Sequence, residues 1–397
     1  MAFAIEDDGI RGFVLALAAE EQATDDNIAD ARLIANAISE ESRYYTGMEE
    51  LHNRSEALLR IAVAQARRER WIASVLTAAG IHDAQYQSLA LSQIAYMIAE
   101  AGDLTTAEEI ATSLPALEQR ACALKDIALL RAEQGAWDFA VATAGRITGE
   151  GRCGFHVGTS ESPDAVTAEI AFLKAKRGDI GGARTLLAQV QQERIRYLTT
   201  TRIAVLQAQS GDVEGARSTL GTVPSTFRDP GWSAVAIAQA QRLQFDEALQ
   251  SIQQIDNADT AFQMKEKLAM REAASGRDEQ AMALVVDQAD ASRAAGLLLS
   301  IACGQHTAGH TPQALRTLTR IPDWQHRKST IHRALFTMAS MTATTQSPFQ
   351  KPAWVDEQLS TEDQPYAYMG LAHGLLQKQS GDSVYTRYAS QDMCRQE

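Results

Sequence analysis

The sequence predicts an all-α fold: an α-solenoid of stacked two-helix (helix-turn-helix) repeats of about 33 residues. A short phrase recurs along the chain at near-constant spacing, and its copies end on a glycine followed at fixed distance by an alanine. The composition agrees. Of 397 residues 45% are hydrophobic, 6% aromatic and only nine are proline. Ala, Leu, Ile, Gln and Glu are plentiful, and such residues lose little entropy on entering a helix.

The phrase reads Ile-Ala, six residues, Gly (often Gly-Asp), then Ala five residues after the Gly. Clear copies are Ile94-Ala95…Gly102-Asp103…Ala107, Ile127-Ala128…Gly135…Ala140 and Ile170-Ala171…Gly178-Asp179…Ala183. Ile203-Ala204…Gly211-Asp212…Ala216, Leu268-Ala269…Gly276…Ala281 and Ile301-Ala302…Gly309…Ala314 follow. Ile61-Ala62 and Val235-Ala236 are in phase, and they put Glu69 and Leu243 at the glycine position. The turn positions are then 69, 102, 135, 178, 211, 243, 276 and 309, spaced by 33, 33, 43, 33, 32, 33 and 33 residues.

Each part of the phrase has a physical role. The Ile-Ala pair belongs to the apolar face of a first helix, A. The Gly ends helix A because it takes the left-handed C-cap conformation without steric cost. The Asp after it caps the second helix, B, and the later Ala lets B pack close against the small Ala of A. One such unit cannot bury its own apolar face, so neighbours must stack into a right-handed superhelix or a related curved array.

The order along the chain follows. Residues 1–50 hold one N-terminal helix pair at 9–40, with Ala31-Arg32-Leu33-Ile34 on its second helix, then a longer connection at about Glu41–Asn53. Residues 51–325 form the regular array. Its 43-residue step marks a ten-residue, glycine-rich insertion within 148–163, which maps to a loop. Residues 326–397 hold irregular repeats: Met338-Ala339 with a turn around Gln346, then a unit closing on Gly381-Asp382 with a cap helix.

The large-small pair on helix A, the Gly at the turn and the Ala on helix B resemble tetratricopeptide repeats. The match lies in the Ile-Ala pairs, in Gly102, Gly178 and Gly211, and in Ala107, Ala183 and Ala216, over roughly residues 55–325. The family's helix-A Trp and Tyr and its closing Pro are mostly absent, so the units are degenerate. Pentatricopeptide repeats share the Gly-to-Ala spacing but read RNA with a basic surface, which this chain lacks. The tetratricopeptide resemblance implies a concave surface built from helix A, ten, six and two residues before the turn. It implies partner-binding positions at Arg67, Tyr96, Glu100, Lys125, Glu133, Phe172, Lys176 and Met270. Gln209, Gln241 and Glu266 fall on the same face. Tyr96, Phe172 and Met270 are the expected apolar anchors.

Charge and motifs limit the function. Net charge is −13, and the densest basic run, Arg67-Arg68-Glu69-Arg70, is short, so nucleic acid is not expected as a partner. No stretch approaches a membrane span, and Met1–Asp8 lacks a basic leader segment. Four widely spaced cysteines suggest no disulfide framework, which points to a reducing, cytoplasmic setting. Cys153 and His156 are two ligands at most. Zinc accepts the spacing of Cys303, His306 and His310, but Cys303 stands beside the Ile301-Ala302 packing pair, where a small buried residue is expected. No nucleophile elbow, dinucleotide fingerprint or P-loop is present. We therefore expect no cofactor, no metal and no catalytic residue. The expected function is a scaffold or adaptor holding a peptide or partner helix, with acidic charge favouring a basic partner. A ligand- or peptide-responsive regulatory sensor is the alternative, and an enzyme sited near the insertion a third.

Overall fold

The computed structural model describes residues 4–46, 49–148, 162–286, 288–322, 327–345 and 352–380. It is all-α apart from one β-hairpin. Clustering of contacts divides it into two compact units, Met1–Ile203 and Ala204–Glu397. The first unit holds α1 (Asp8–Thr24), α2 (Ile28–Asn36), β1 (Arg43–Thr46), β2 (Glu49–His52), α3 (Asn53–Ala66), α4 (Trp71–Ala79), α5 (Ala84–Glu100), α6 (Leu104–Ser113), α7 (Leu117–Glu133), α8 (Trp137–Ala144), α9 (Pro163–Lys176) and α10 (Ile180–Leu187). The boundary between the units falls inside α11 (Glu193–Gln209). The second unit continues with α12 (Val213–Leu220), α13 (Asp229–Gln241), α14 (Phe245–Ile252), α15 (Ala258–Ala274), α16 (Asp278–Val286), α17 (Ala291–Thr307), α18 (Thr311–Thr319), α19 (Arg327–Thr345), α20 (Ala353–Gln358) and α21 (Gln364–Ser380). Through α18 the odd-numbered helices are the A helices and the even-numbered ones the shorter B helices.

All eight turns expected in the regular array are present. Positions 69, 102, 135, 178, 211, 243, 276 and 309 all have positive φ, from 57° at Glu69 to 102° at Gly102. A ninth turn stands at Asp26, with φ 72°. The turns close by the hydrogen-bond pattern of a left-handed helix cap. The N–H of Gly102 donates to the Ala99 carbonyl at 3.0 Å, and that of Asp103 to the Ile98 carbonyl at 3.1 Å. Asp212 to Gln207, at 2.8 Å, and Gln244 to Gln239, at 3.0 Å, repeat the longer bond. Where an Asp follows the turn it caps helix B: the Asp103, Asp179 and Asp212 side chains accept from Thr106, Gly182 and Gly215 N–H.

These turns set which residues meet. The helix-A pairs, such as Ile94-Ala95, Ile170-Ala171 and Ile301-Ala302, are completely buried, and so are Ala107, Ala183, Ala216 and Ala314 on the B helices. Within each unit helix A of one repeat also packs on helix A of the next, as in α3 with α5 and α5 with α7 in the first and α15 with α17 in the second.

A polar lock lies inside this apolar contact. Four residues before the turn, a Gln carbonyl oxygen accepts a hydrogen bond from a hydroxyl eight residues after it. Gln65–Thr77, Gln207–Thr219, Gln239–Ser251 and Gln305–Thr317 are all 2.7 Å apart, and all eight side chains are buried. Arg131 takes the Gln role against Thr143, and its guanidinium also pairs with Glu108 of the preceding helix B at 2.7 Å. A hydrogen bond between two buried groups fixes the A–B register, because slipping it would strand both partners.

The connection at Glu41–Asn53 is partly a hairpin. Strands β1 and β2 pair antiparallel, Arg43 opposite His52 and Thr46 opposite Glu49. Tyr44 stacks on Phe13 of α1 with ring centroids 4.5 Å apart. At the hairpin base Asn53 Nδ2 donates to the Gly9 carbonyl at 3.0 Å and to Ser42 Oγ at 2.9 Å. Met338 and Ala339 of α19 are buried as expected. The insertion with Cys153 and His156, the turn at Gln346 and the closure at Gly381-Asp382 lie outside the described residues.

The lock predicts a sign. Ser251→Ala leaves the Gln239 oxygen buried without its donor and is expected to lower stability by about 1–3 kcal/mol. Adding Gln239→Leu should recover most of that loss, as read from denaturant midpoints.

Candidate functional site

Helices α3, α5, α7 and α9 present the expected partner-binding residues of the first unit in succession. Ile94 and Ala95 are buried, so their neighbour Tyr96 turns outward, and 41% of it is exposed. Glu100, one helical turn later, accepts a hydrogen bond from the Tyr96 hydroxyl. That bond, then the charge of Glu100, together with Asp126 and Glu133 from α7, pushes the phenol above its ordinary pKa. Tyr96 and Glu100 meet on α5, and the charges of Glu133 and of Asp126, which sequence reasoning did not select, reach the phenol from α7. Lys125, next to Asp126 in the chain, is half-buried. Arg67, the C-cap of α3, and Lys176, the last residue of α9, are exposed.

Two expected anchors are placed differently. Phe172 is half-buried, and the Arg202 guanidinium lies 3.9 Å from its ring centroid. Arg202 is held there by Glu169, one turn before Phe172, at 2.7 Å. Arg293 repeats the arrangement over Phe262, paired with Asp259. Lys174 and Arg177 cover Trp137, and Arg277 covers Phe245. Cations seal these rings, whereas no cation stacks on Tyr96 among the described residues.

Met270 is not a surface residue. It is 5% exposed and belongs to the core formed by α17, α18, α19 and α21. The reason is backbone approach: a side chain at Gly304 of α17 would collide with the Met270 carbonyl oxygen, so α17 runs directly over this part of α15. The same close approach affects Glu266, whose carboxylate abuts Gly296. Burial pushes the Glu266 carboxyl up to about 7, with Arg333 of α19 pulling the other way.

The Cys303, His306 and His310 trio is no metal centre. His306 is held between Thr311 Oγ1 and Thr342 Oγ1, each 2.9 Å away, and lies edge-on to Trp354. Burial lowers its pKa, which favours neutral imidazole. Cys303 is buried and disulfide-bonded, and Cys122 is disulfide-bonded too. The expectation of a chain without disulfides is therefore not met. No cluster of three or more potential metal ligands occurs among the described residues. No described helix is long and apolar enough to cross a membrane.

No family model matches the chain, and no curated protein matches it. Ton1535 from Thermococcus onnurineus NA1 is similar at 14% identity and a TM-score of 0.26, over 81% of this chain and 99% of its own. A circular tandem repeat protein with novel repeat topology and enhanced subunit contact surfaces is 12% identical at a TM-score of 0.19, over 94% of this chain and 84% of its own. At such scores neither likeness bears on function.

Glu266 gives a pH signature. Its folded-state pKa lies above the unfolded value of 4.5, so the folded protein binds the proton more tightly. Its contribution to stability is full below pH 4.5 and falls as pH rises to about 7. Glu266→Gln is expected to flatten stability over that window, as seen by melting the variant and the parent across it. Glu272, shifted upward by burial as well, keeps its own share.

Proposed function

We propose that the chain is a protein-interaction scaffold with tetratricopeptide-like units that holds a basic peptide or partner helix on its A-helix face around Tyr96. The supporting observation is the exposed Tyr96 ring, its hydroxyl bonded to Glu100 and within the field of Asp126 and Glu133, with no cation stacked on it among the described residues. A tyrosine gives a rigid apolar surface with a polar tip, which suits it to anchor a partner side chain. The exposed carboxylates of Glu100 and Glu133 would receive a lysine or arginine, and they would steer encounter more than they set the final affinity. Phe172 serves less as an anchor than as a platform for Arg202, and Met270 has no part. Arg67, Lys125 and Lys176 would contact other parts of a partner. The proposal concerns the surface and not the location.

The test is affinity capture from native lysate with the parent and with a Tyr96→Ala, Glu100→Gln, Glu133→Gln variant. All three side chains are exposed or at the rim, so the fold should persist, which circular dichroism checks. A partner lost in the variant, with parent binding that weakens as salt rises, is the expected result. Partners retained unchanged by the variant would place binding elsewhere. If the parent retains no protein at all, the ligand-responsive regulator becomes the better reading.

A further inference from the structure

A second concavity, remote in sequence from Tyr96, lies wholly within the second unit. It is bounded by α18, the first three turns of α19 and the turn between α20 and α21, and it encloses about 530 Å³. Its walls are apolar, formed by Leu315 and Leu318 of α18, Ile331 and Leu335 of α19, and Leu359. Volumes of this order are typical of sites that take small molecules, with an apolar lining and a few polar groups that orient the ligand.

The polar groups lining it are unequal in their commitments. Asp363 is fully engaged: one oxygen accepts from Ser360 Oγ at 2.7 Å and the other faces His332 Nε2 at 3.2 Å. His332 is itself stacked on Tyr366 at 3.7 Å. The two arginines are not engaged in this way. Arg327 has a buried Nε without a hydrogen-bond partner, and its Nη2 makes only a long 3.4 Å bond to the Thr319 carbonyl. Arg316 is exposed at the opposite wall and has no ion pair among the described residues. A buried guanidinium nitrogen without an acceptor is costly and calls for one. An apolar hollow with two arginines that carry no ion pair among the described residues, and a carboxylate already hydrogen-bonded to Ser360 and His332, is complementary to one kind of ligand.

We propose that this pocket binds a small amphipathic anion: an apolar body against the leucine and isoleucine walls, with a terminal oxyanion received by Arg316 and Arg327. The fork of N–H donors on each arginine matches a carboxylate or a phosphate. The site is independent of the Tyr96 surface and of what that surface binds.

Octanoate and octyl phosphate are the probes, titrated calorimetrically into the full chain, with octyltrimethylammonium as the oppositely charged control. Binding of at least one anion, and not of the cation, is expected. Arg316→Ala should weaken it by about tenfold or more, the loss of a charge-assisted hydrogen bond, and Arg316→Lys should retain part of it. Arg316 is exposed, so the fold survives the change; Arg327→Ala is measured beside it, with its melting curve as a control. The relative affinities of octanoate and octyl phosphate separate a carboxylate ligand from a phosphate one. The Tyr96→Ala variant should bind the probes as the parent does. Failure of both anions to bind, equal binding of the cation, or binding unaffected by Arg316→Ala would each overturn the proposal.

Discussion

The left-handed turn between helix A and helix B is the constraint on which the other features depend. Once a residue at that position takes positive φ, the next N–H bonds back to a carbonyl five residues earlier, and helix B can leave in only one direction. That direction brings Ala107 or its equivalent onto the Ile-Ala face of helix A, where both are fully buried. It also places a hydroxyl of helix B against the Gln four residues before the turn. Glu69 and Leu243 hold the same conformation without being glycine. The surrounding packing therefore imposes the turn even where the local residue resists it, at a cost of about 1–2 kcal/mol.

This geometry also decides what is left for function. The residue after the buried pair on helix A turns outward where nothing covers it, as Tyr96 does, and is buried where the next A helix runs over it, as Met270 is. Some aromatic rings that emerge are covered by a cation from the following repeat, as Arg202 covers Phe172 and Arg293 covers Phe262. Such stacking adds about 1 kcal/mol or less where exposed, and it removes the ring from contention as a partner anchor. Tyr96, bonded to Glu100 instead, keeps its face open. The pocket beside α18 arises at the other end of the same logic, where the units become irregular and α20 is too short to fill the space beside α19.

Much of the fold was legible because its signals are local. Glycine, the Ile-Ala pair and the following Ala sit within about a dozen residues of one another, and phase alone located the turns at Glu69 and Leu243. Asp26 escaped because the hairpin inserted after α2 puts it 43 residues before Glu69, out of step with its neighbours. The Gln-to-hydroxyl lock was also written in the sequence, as Gln or Arg and Ser or Thr twelve residues apart across the turns at 69, 135, 211, 243 and 309, but neither residue is distinctive alone. The face of Met270 was misjudged for a non-local reason: Gly296 and Gly304 let α17 approach α15 until surface positions become core. The cover over Phe172 likewise depends on Arg202 in the next repeat. Glu100 and Glu133 were found because helical spacing decides their face; Asp126 was not, because it lies one residue off the offsets used.

A pair of single substitutions at two turns, followed by denaturant unfolding, tests the central claim that positive φ at the turn is demanded by the array. Gly102 has open space around the position a Cβ would take, so Gly102→Ala isolates the backbone cost. Leu243 is 60% exposed, so Leu243→Gly gives up little burial while relieving the strain. The account predicts opposite signs of about 1 kcal/mol, destabilising for Gly102→Ala and stabilising for Leu243→Gly. Destabilisation by both, or no effect at Gly102, would contradict it.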